Sequence, residues 1–256
     1  MEKNEKIEMI TEVVVFSVEG AIAAQNGCAD RVELCENVHD GGTTPSYGTI
    51  VQTRKNISIQ LHVMIRPRSG DFLYSDLEFE TMKSDIELCK TLGVDGVVFG
   101  ILNLDAGIDK NRCKLLVEHA KPMTSNFHRA FDRTKNPLLA LEDVIECGFV
   151  RILTSGQKPS ALEGISLISE LNCLAENRII IMPGGGVRID NVLEIMEKSG
   201  AIEFHTSARN IKYSKMKYRK NPLAMGSDFK LNEFEILGTD ITAIKQFVGK
   251  INIRNK

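Results

Sequence analysis

No C-x-x-C pair occurs in this chain, although it has six cysteines, at positions 28, 35, 89, 113, 147 and 173. That absence argues against a zinc site of the finger or ribbon type. Nor does any apolar run approach the roughly 20 residues that span a bilayer. The N-terminal "MEKNEKIEMI" carries charges of both signs and no apolar core of signal-peptide length. Net charge is −2 with the signs intermixed, so there is no electrostatic footprint for nucleic acid or membrane. Linkers, low-complexity tracts and breaks in composition are missing as well. The expectation is a soluble intracellular protein whose thiols are reduced and mostly serve as small core residues.

What is there is a weak repeat. The chain has 256 residues, 43% of them hydrophobic, which is enough for one large core. Four times a helical pattern ends in Gly and a short apolar strand follows. The instances are "NGCADRVELC" (Gly27), "LGVDGVVFG" (Gly93), "CGFVRILTSG" (Gly148) and "SGAIEFHTS" (Gly200). Gly just past a helix is the usual left-handed cap. The helix starts are marked too. Ser75 with Glu78 and Ser160 with Glu163 match capping boxes, and Asn136 precedes Pro137 at a first helical position. Four further strands, "EVVVFS", "SIQLHVMIR", "TSNFHRAF" and "RIIIMPG", complete a set of eight alternating with helices. Strict alternation implies a parallel sheet, and eight βα units in this length predict one α/β domain, a TIM (β/α)8 barrel spanning residues 1–256. An open doubly wound sheet would carry a dinucleotide glycine fingerprint after strand one, and "FSVEGAIAAQNG" has none. Residues 1–10 read as an N-terminal extension. Residues 210–240 read as a flap or edge segment.

The stretch "FHRAFD" (127–132) ends an apolar strand with an imidazole, a guanidinium and a carboxylate. The barrel supplies a reason. Strand side chains alternate, and the apolar set must face the helices. Glu33, Arg66, His128 and His205 then point inward near the C-terminal mouth, where enzymes of this fold keep their active sites. Arg129 is expected to face outward or toward a neighbouring strand, and Asp132 to orient a partner by a charge-assisted hydrogen bond. The bland alternative is that Glu33 and Arg66 form a structural ion pair.

The mouth loops "GGTTPSYG", "RPRSGDFLYSD", "TSGQ", "PGGGV" and "HTSAR" are polar and rich in glycine. Loops after strands seven and eight commonly hold phosphate in this fold, because glycine lets backbone N–H groups approach an anion. Candidate anion-binding residues are Arg68, Ser155, Gly184, Gly185, Gly186 and Ser207, with Arg66 as a second clamp. A metal reading rests on Cys35, Met64, His128 and His205, all on inward-facing positions. Soft sulfur groups favour Cu(I), but no short ligand spacing supports the set, and spacing alone makes Cys35 and Met64 core residues.

"GCADRVELCENVHDGGTTPSYG", "MIRPRSGDFLYSD", "FHRAFD", "RILTSGQ", "MPGGGV" and "EFHTSAR" together, from about Glu12 to Ile251, resemble the CutC family of copper homeostasis proteins. The resemblance implies a TIM barrel, a cytoplasmic location that leaves the nucleus open, a homo-oligomer, and a role in copper homeostasis with Cu(I) as ligand and Cys35 as its candidate metal residue. Family members commonly read "EVCVDS" in strand one. This chain has Val14 and Phe16 at the cysteine and acidic positions. The alternative to copper binding is an enzyme acting on a small anionic metabolite, phosphorylated or not, with Arg66 and Arg68 as clamps, His128 or His205 as acid or base, and Glu33 as their partner.

Overall fold

The structure, a computed structural model, describes residues 9–219 and 234–252. Eight parallel strands alternate with helices: β1 (Ile10–Val15), α1 (Val18–Asn26), β2 (Arg31–Leu34), α2 (Tyr47–Asn56), β3 (Gln60–Met64), α3 (Asp76–Thr91), β4 (Gly96–Phe99), α4 (Lys110–Ala120), β5 (Thr124–Phe127), α5 (Pro137–Cys147), β6 (Arg151–Thr154), α6 (Ile165–Ala175), β7 (Ile180–Pro183), α7 (Val192–Ser199) and β8 (Glu203–Thr206). The sheet runs in the order β7-β6-β5-β4-β3-β2-β1-β8. β7 lies against β8 at the remaining seam, so the TIM barrel is nearly closed. An antiparallel hairpin, β9 (Arg209–Tyr213) with β10 (Glu235–Thr239), follows, and α8 (Ile241–Asn252) packs near α1 and α7. The expected segment at 210–240 is thus partly this hairpin, and residues 220–233 lie outside the described residues. Residues 1–8 also lie outside them, while Ile10 already belongs to β1 and not to an extension. Among the described residues no helix is long and apolar enough to cross a membrane.

The period of two sorts the strands as their chemistry requires. Val13, Val32, Leu34, Leu61, Val63, Val97, Phe99, Phe127, Ile152, Ile181 and Phe204 join one apolar core with the helices. The alternate positions fill the barrel. Many of them are charged.

Helix boundaries follow local signals. Ser75 and Glu78 form the reciprocal capping box, and Asn136 caps α5 ahead of Pro137. Ser160 and Glu163 also bond as expected, but α6 proper starts two residues after Glu163, so they cap a preceding turn. Gly93, Gly148 and Gly200 are left-handed as expected. Gly27 is not. Its φ is −83°, and Cys28 takes the positive value of 67°. The reason for Gly27 is space: a Cβ there would lie 2.6 Å from Ile244 of α8.

Candidate active site at the barrel mouth

Glu12 and His205 are register partners on β1 and β8. His205 Nδ1 donates to Glu12 Oε1 at 2.7 Å, and Glu12 Oε2 accepts from Arg31 Nε at 2.5 Å. Burial by itself would raise Glu12, but the Arg31 guanidinium and the His205 bond outweigh it and hold the carboxyl far below the usual range. Burial likewise opposes charge on His205, yet Glu12 and the nearby Glu33 raise it. Across the imidazole, Nε2 lies 3.9 Å from Glu33 Oε2. Burial pushes Glu33 up to about 7, with the Glu12 charge adding to the rise. Two carboxyl groups on either side of one imidazole are therefore driven apart. One is fixed as the anion and the other is poised near neutrality.

Beneath this line the barrel holds a paired network that the sequence reading missed. Arg31 Nη2 and Arg151 Nε both donate to Glu203 Oε2 at 2.6 Å. Arg151 Nη1 reaches Asn126 Oδ1 at 2.9 Å, and Asn126 Nδ2 reaches His62 Nδ1 at 3.1 Å. Burial, then the Arg31 and Arg151 charges, drive His62 down to about 3. His62 is thus a neutral acceptor, and its 3.6 Å approach to Glu12 is not an ion pair.

Glu33, Arg66, His128 and His205 line one cavity of about 260 Å³, the scale of a small metabolite. The expected Glu33–Arg66 pair does not form. Arg66 instead donates Nη1 to the carbonyls of Asp40 and Gly42 and Nη2 to that of Gly70, so it clips the loops after β2 and β3 together. Its guanidinium stands over Phe72, whose ring meets His128 edge-on at 4.9 Å. Burial and the Arg66 charge lower His128 to about 3. His128 Nδ1 accepts from the Ala130 N–H at 3.3 Å, which leaves the proton of the neutral ring on Nε2, a buried atom with no partner among the described residues.

Gly185, Gly186, Arg188, Ser207 and Arg209 rim the same cavity, as does Arg129. Gly185 and Gly186 have φ of +90° and +74°, a turn open to glycine and costly for other residues. Arg129 does not face outward; it turns over this loop toward the end of the neighbouring β6, the second of its two expected directions. Its Nε binds Asp132 Oδ2 at 2.7 Å and its Nη2 binds Ser155 Oγ at 2.6 Å. Asp132 also accepts from Thr154 Oγ1 and from the N–H groups of Ser155 and Gln157. It therefore ties "FHRAFD" to the loop after β6. Three of the expected anion ligands lie outside the cavity lining. Arg68 is engaged by Glu78 and Asp71 over Tyr74. Ser155 is spent on Arg129 and Lys158, and Gly184 is packed beneath Leu153.

Cys35 is also off the cavity wall. Val14, Phe16 and Met64 form that wall, and the thiol sits behind them with Met64 and Val98. Burial and then the Glu33 carboxylate push the Cys35 thiol well up. Cys89, Cys113, Cys147 and Cys173 lie in helices and Cys28 just after one, so no second thiol meets Cys35. Cu(I) needs two or three soft ligands close together. These residues do not fit a Cu(I) thiolate centre.

The sequence model of the CutC family matches residues 9–210, which include every mouth residue named above. The chain belongs to the CutC family. The copper homeostasis protein cutC homolog of Homo sapiens is 48% identical over 236 residues, covering 92% of this chain and 86% of that protein. A CutC family protein of Parabacteroides distasonis is 49% identical, covering 94% of this chain and all of its own length. A solved CutC structure from Streptococcus agalactiae superposes with a TM-score of 0.74 at 34% identity, over 77% of this chain and 97% of that one. Thiamine phosphate pyrophosphorylase of Pyrococcus furiosus, at 12% identity and a TM-score of 0.59, shares the barrel alone. CutC membership agrees with the motifs that carried the resemblance.

Proposed function

We propose that this CutC-family chain shares the copper-homeostasis role for which its relatives are named, and that the chemistry at its mouth is acid–base catalysis on a small anionic, phosphate-bearing substrate. The observation that carries the reading is the buried line Glu12–His205–Glu33 opening into a cavity rimmed by Gly185, Gly186, Ser207 and Arg129. A carboxylate that orients an imidazole, facing an acid poised near neutrality, is the arrangement general acid–base work requires. Glycine N–H groups and guanidinium groups supply the anion contact. His205 exchanges a proton with the substrate through Nε2, Glu33 is its acid or base partner, and neutral His128 donates from Nε2. A cytoplasmic location and self-association, as the family resemblance implies, belong to the same reading; six free cysteines suit a reducing compartment.

The test is binding and turnover on a panel of phosphate monoesters. Arg129→Ala should weaken binding of inorganic phosphate by about tenfold, near 1.4 kcal/mol. His205→Asn should leave that binding intact and lower turnover by about a hundredfold or more. Phosphate binding that is absent, or indifferent to Arg129→Ala, would sink the proposal.

A further inference from the structure

The charges inside the barrel do not balance evenly. Arg31 and Arg151 are paired with Glu12 and Glu203, two guanidinium groups against two carboxylates. Arg66 is turned away onto backbone carbonyls. Glu33 is left with no committed cation except His205, 3.9 Å away and already bonded to Glu12. Its Oε1 is buried with no hydrogen-bond partner among the described residues, though the side chain is only 3% exposed and lines the cavity. A buried oxygen left unpaired is costly to folding, and a ligand held there accounts for its persistence.

We propose that Glu33 and His205 Nε2 form a binding site for a divalent transition-metal ion, with Glu12 holding the imidazole from behind. Glu12, Glu33 and His205 each present one ligand atom within 4.8 Å of the others. Glu33 Oε2 and His205 Nε2 lie 3.9 Å apart, and a tetrahedral ion with ligands at about 2.1 Å draws them to roughly 3.4 Å, a closure of about half an ångström. A metal-bound histidine usually gives its other ring N–H to a carboxylate, and Glu12 stands at that position. Imidazole with carboxylate suits Zn²⁺ or Cu²⁺, unlike the soft set that Cu(I) wants. The ion occupies the Glu33 carboxylate and the His205 Nε2 lone pair and leaves its remaining positions to water or an anion in the cavity. Metal loading and proton transfer at this pair then exclude each other. The inference rests on the same mouth as the acid–base reading and assigns that site a metal that silences it.

Zn²⁺ is the probe, added to metal-free full-length protein at neutral pH in competition with a chromophoric chelator and with no phosphate present. One ion per chain is expected, with a shift of the His205 ring resonances. Glu33→Gln and His205→Gln should each weaken binding at least tenfold, and Glu12→Gln by tenfold to a hundredfold. Cys173→Ser, at an exposed thiol, should change nothing. Circular dichroism checks that each variant is folded, and two independent ligand variants guard against one that is not. Binding that survives both ligand variants, or no binding by folded wild type, overturns the proposal. Phosphate binding by the same metal-free samples keeps the two readings apart: Zn²⁺ failing while phosphate binds removes the metal site alone, and the reverse removes the anion reading alone.

Discussion

His205 Nδ1 lies 2.7 Å from Glu12 Oε1, although 193 residues separate them in the chain. The closing of β8 onto β1 makes them register neighbours. The charge on Glu12 therefore controls the proton affinity of His205. In Glu12→Gln that charge is gone and the imidazole keeps only Glu33 as an anionic neighbour. Its pKa is expected to fall, because the Glu12 bond and charge that raise it are lost. NMR titration of the His205 ring protons reads this directly. A value as high as in wild type would mean that Glu33, and not Glu12, sets the imidazole.

The buried histidines give stability a maximum near neutral pH. His62 and His128 fall to about 3 in the folded chain. As pH drops below their ordinary value of about 6.5, the unfolded chain takes up protons that the folded chain refuses, so stability is lost downward through that window at about 1.4 kcal/mol per proton per pH unit. Glu33 has the opposite sign. Raised to about 7, it keeps a proton in the folded chain that the unfolded chain has released above pH ~4.5, so its contribution is present at low pH and lost as pH rises through 7. His205, also raised, acts in the same direction. Between pH ~6 and ~4.5 Glu33 partly offsets the two histidines. Below that Glu33 no longer does so, and the lowered Glu12 and Glu203 add to the loss. Urea midpoints should peak close to pH 7 and fall more steeply below pH ~4.5 than above it. A midpoint still rising at pH 5 on acidification would contradict these assignments.

The alternation that placed Glu33 and His205 inside the barrel was legible because Glu33 sits between Val32 and Leu34, and His205 follows Phe204 in a short strand. The same rule reaches Glu12, which shares its parity with Val14, and Arg31, which shares its parity with Glu33. Both escaped notice at strand starts, which are hardest to place: Arg31 opens β2, and Glu12 opens "EVVVFS" as read from sequence although β1 begins at Ile10. What sequence periodicity does not carry is pairing. Arg66 has the right parity to meet Glu33, but three loop carbonyls compete for a guanidinium with five donors and win it. Arg129 has the parity of an outward residue, yet the chain leaves the strand at His128 for a 3-10 turn over Arg129–Arg133, and the alternation ends there.

That turn makes Asp132 a hub. Its carboxylate accepts from Arg129, Thr154, Ser155 and Gln157 and is largely buried. Asp132→Ala leaves several buried donors unpaired, so a loss of about 3 kcal/mol in unfolding free energy is expected, with weaker phosphate binding because Arg129 is no longer anchored. Asp132→Asn keeps an acceptor and should cost less. Equal and small losses in both variants, measured by urea unfolding, would reduce Asp132 to an ordinary turn residue.

Copper separates the family name from this chain's own residues. Cys35 is buried behind Val14, Phe16 and Met64, and its thiol is pushed well up by burial, so forming the thiolate that Cu(I) prefers is costly. Met64 is the one soft neighbour in that cluster. Cu(I) binding at this site is expected to be weak and to depend on Cys35. Val14→Cys would add a thiol against the same cluster and raise the number of sulfur ligands from two to three. Titration against a competing Cu(I) chelator should then rank Val14→Cys above wild type by at least tenfold, with Cys35→Ala losing the specific component altogether. Tight stoichiometric binding that persists in Cys35→Ala would place the copper elsewhere, and the exposed Cys28 and Cys173 would be the next residues to replace.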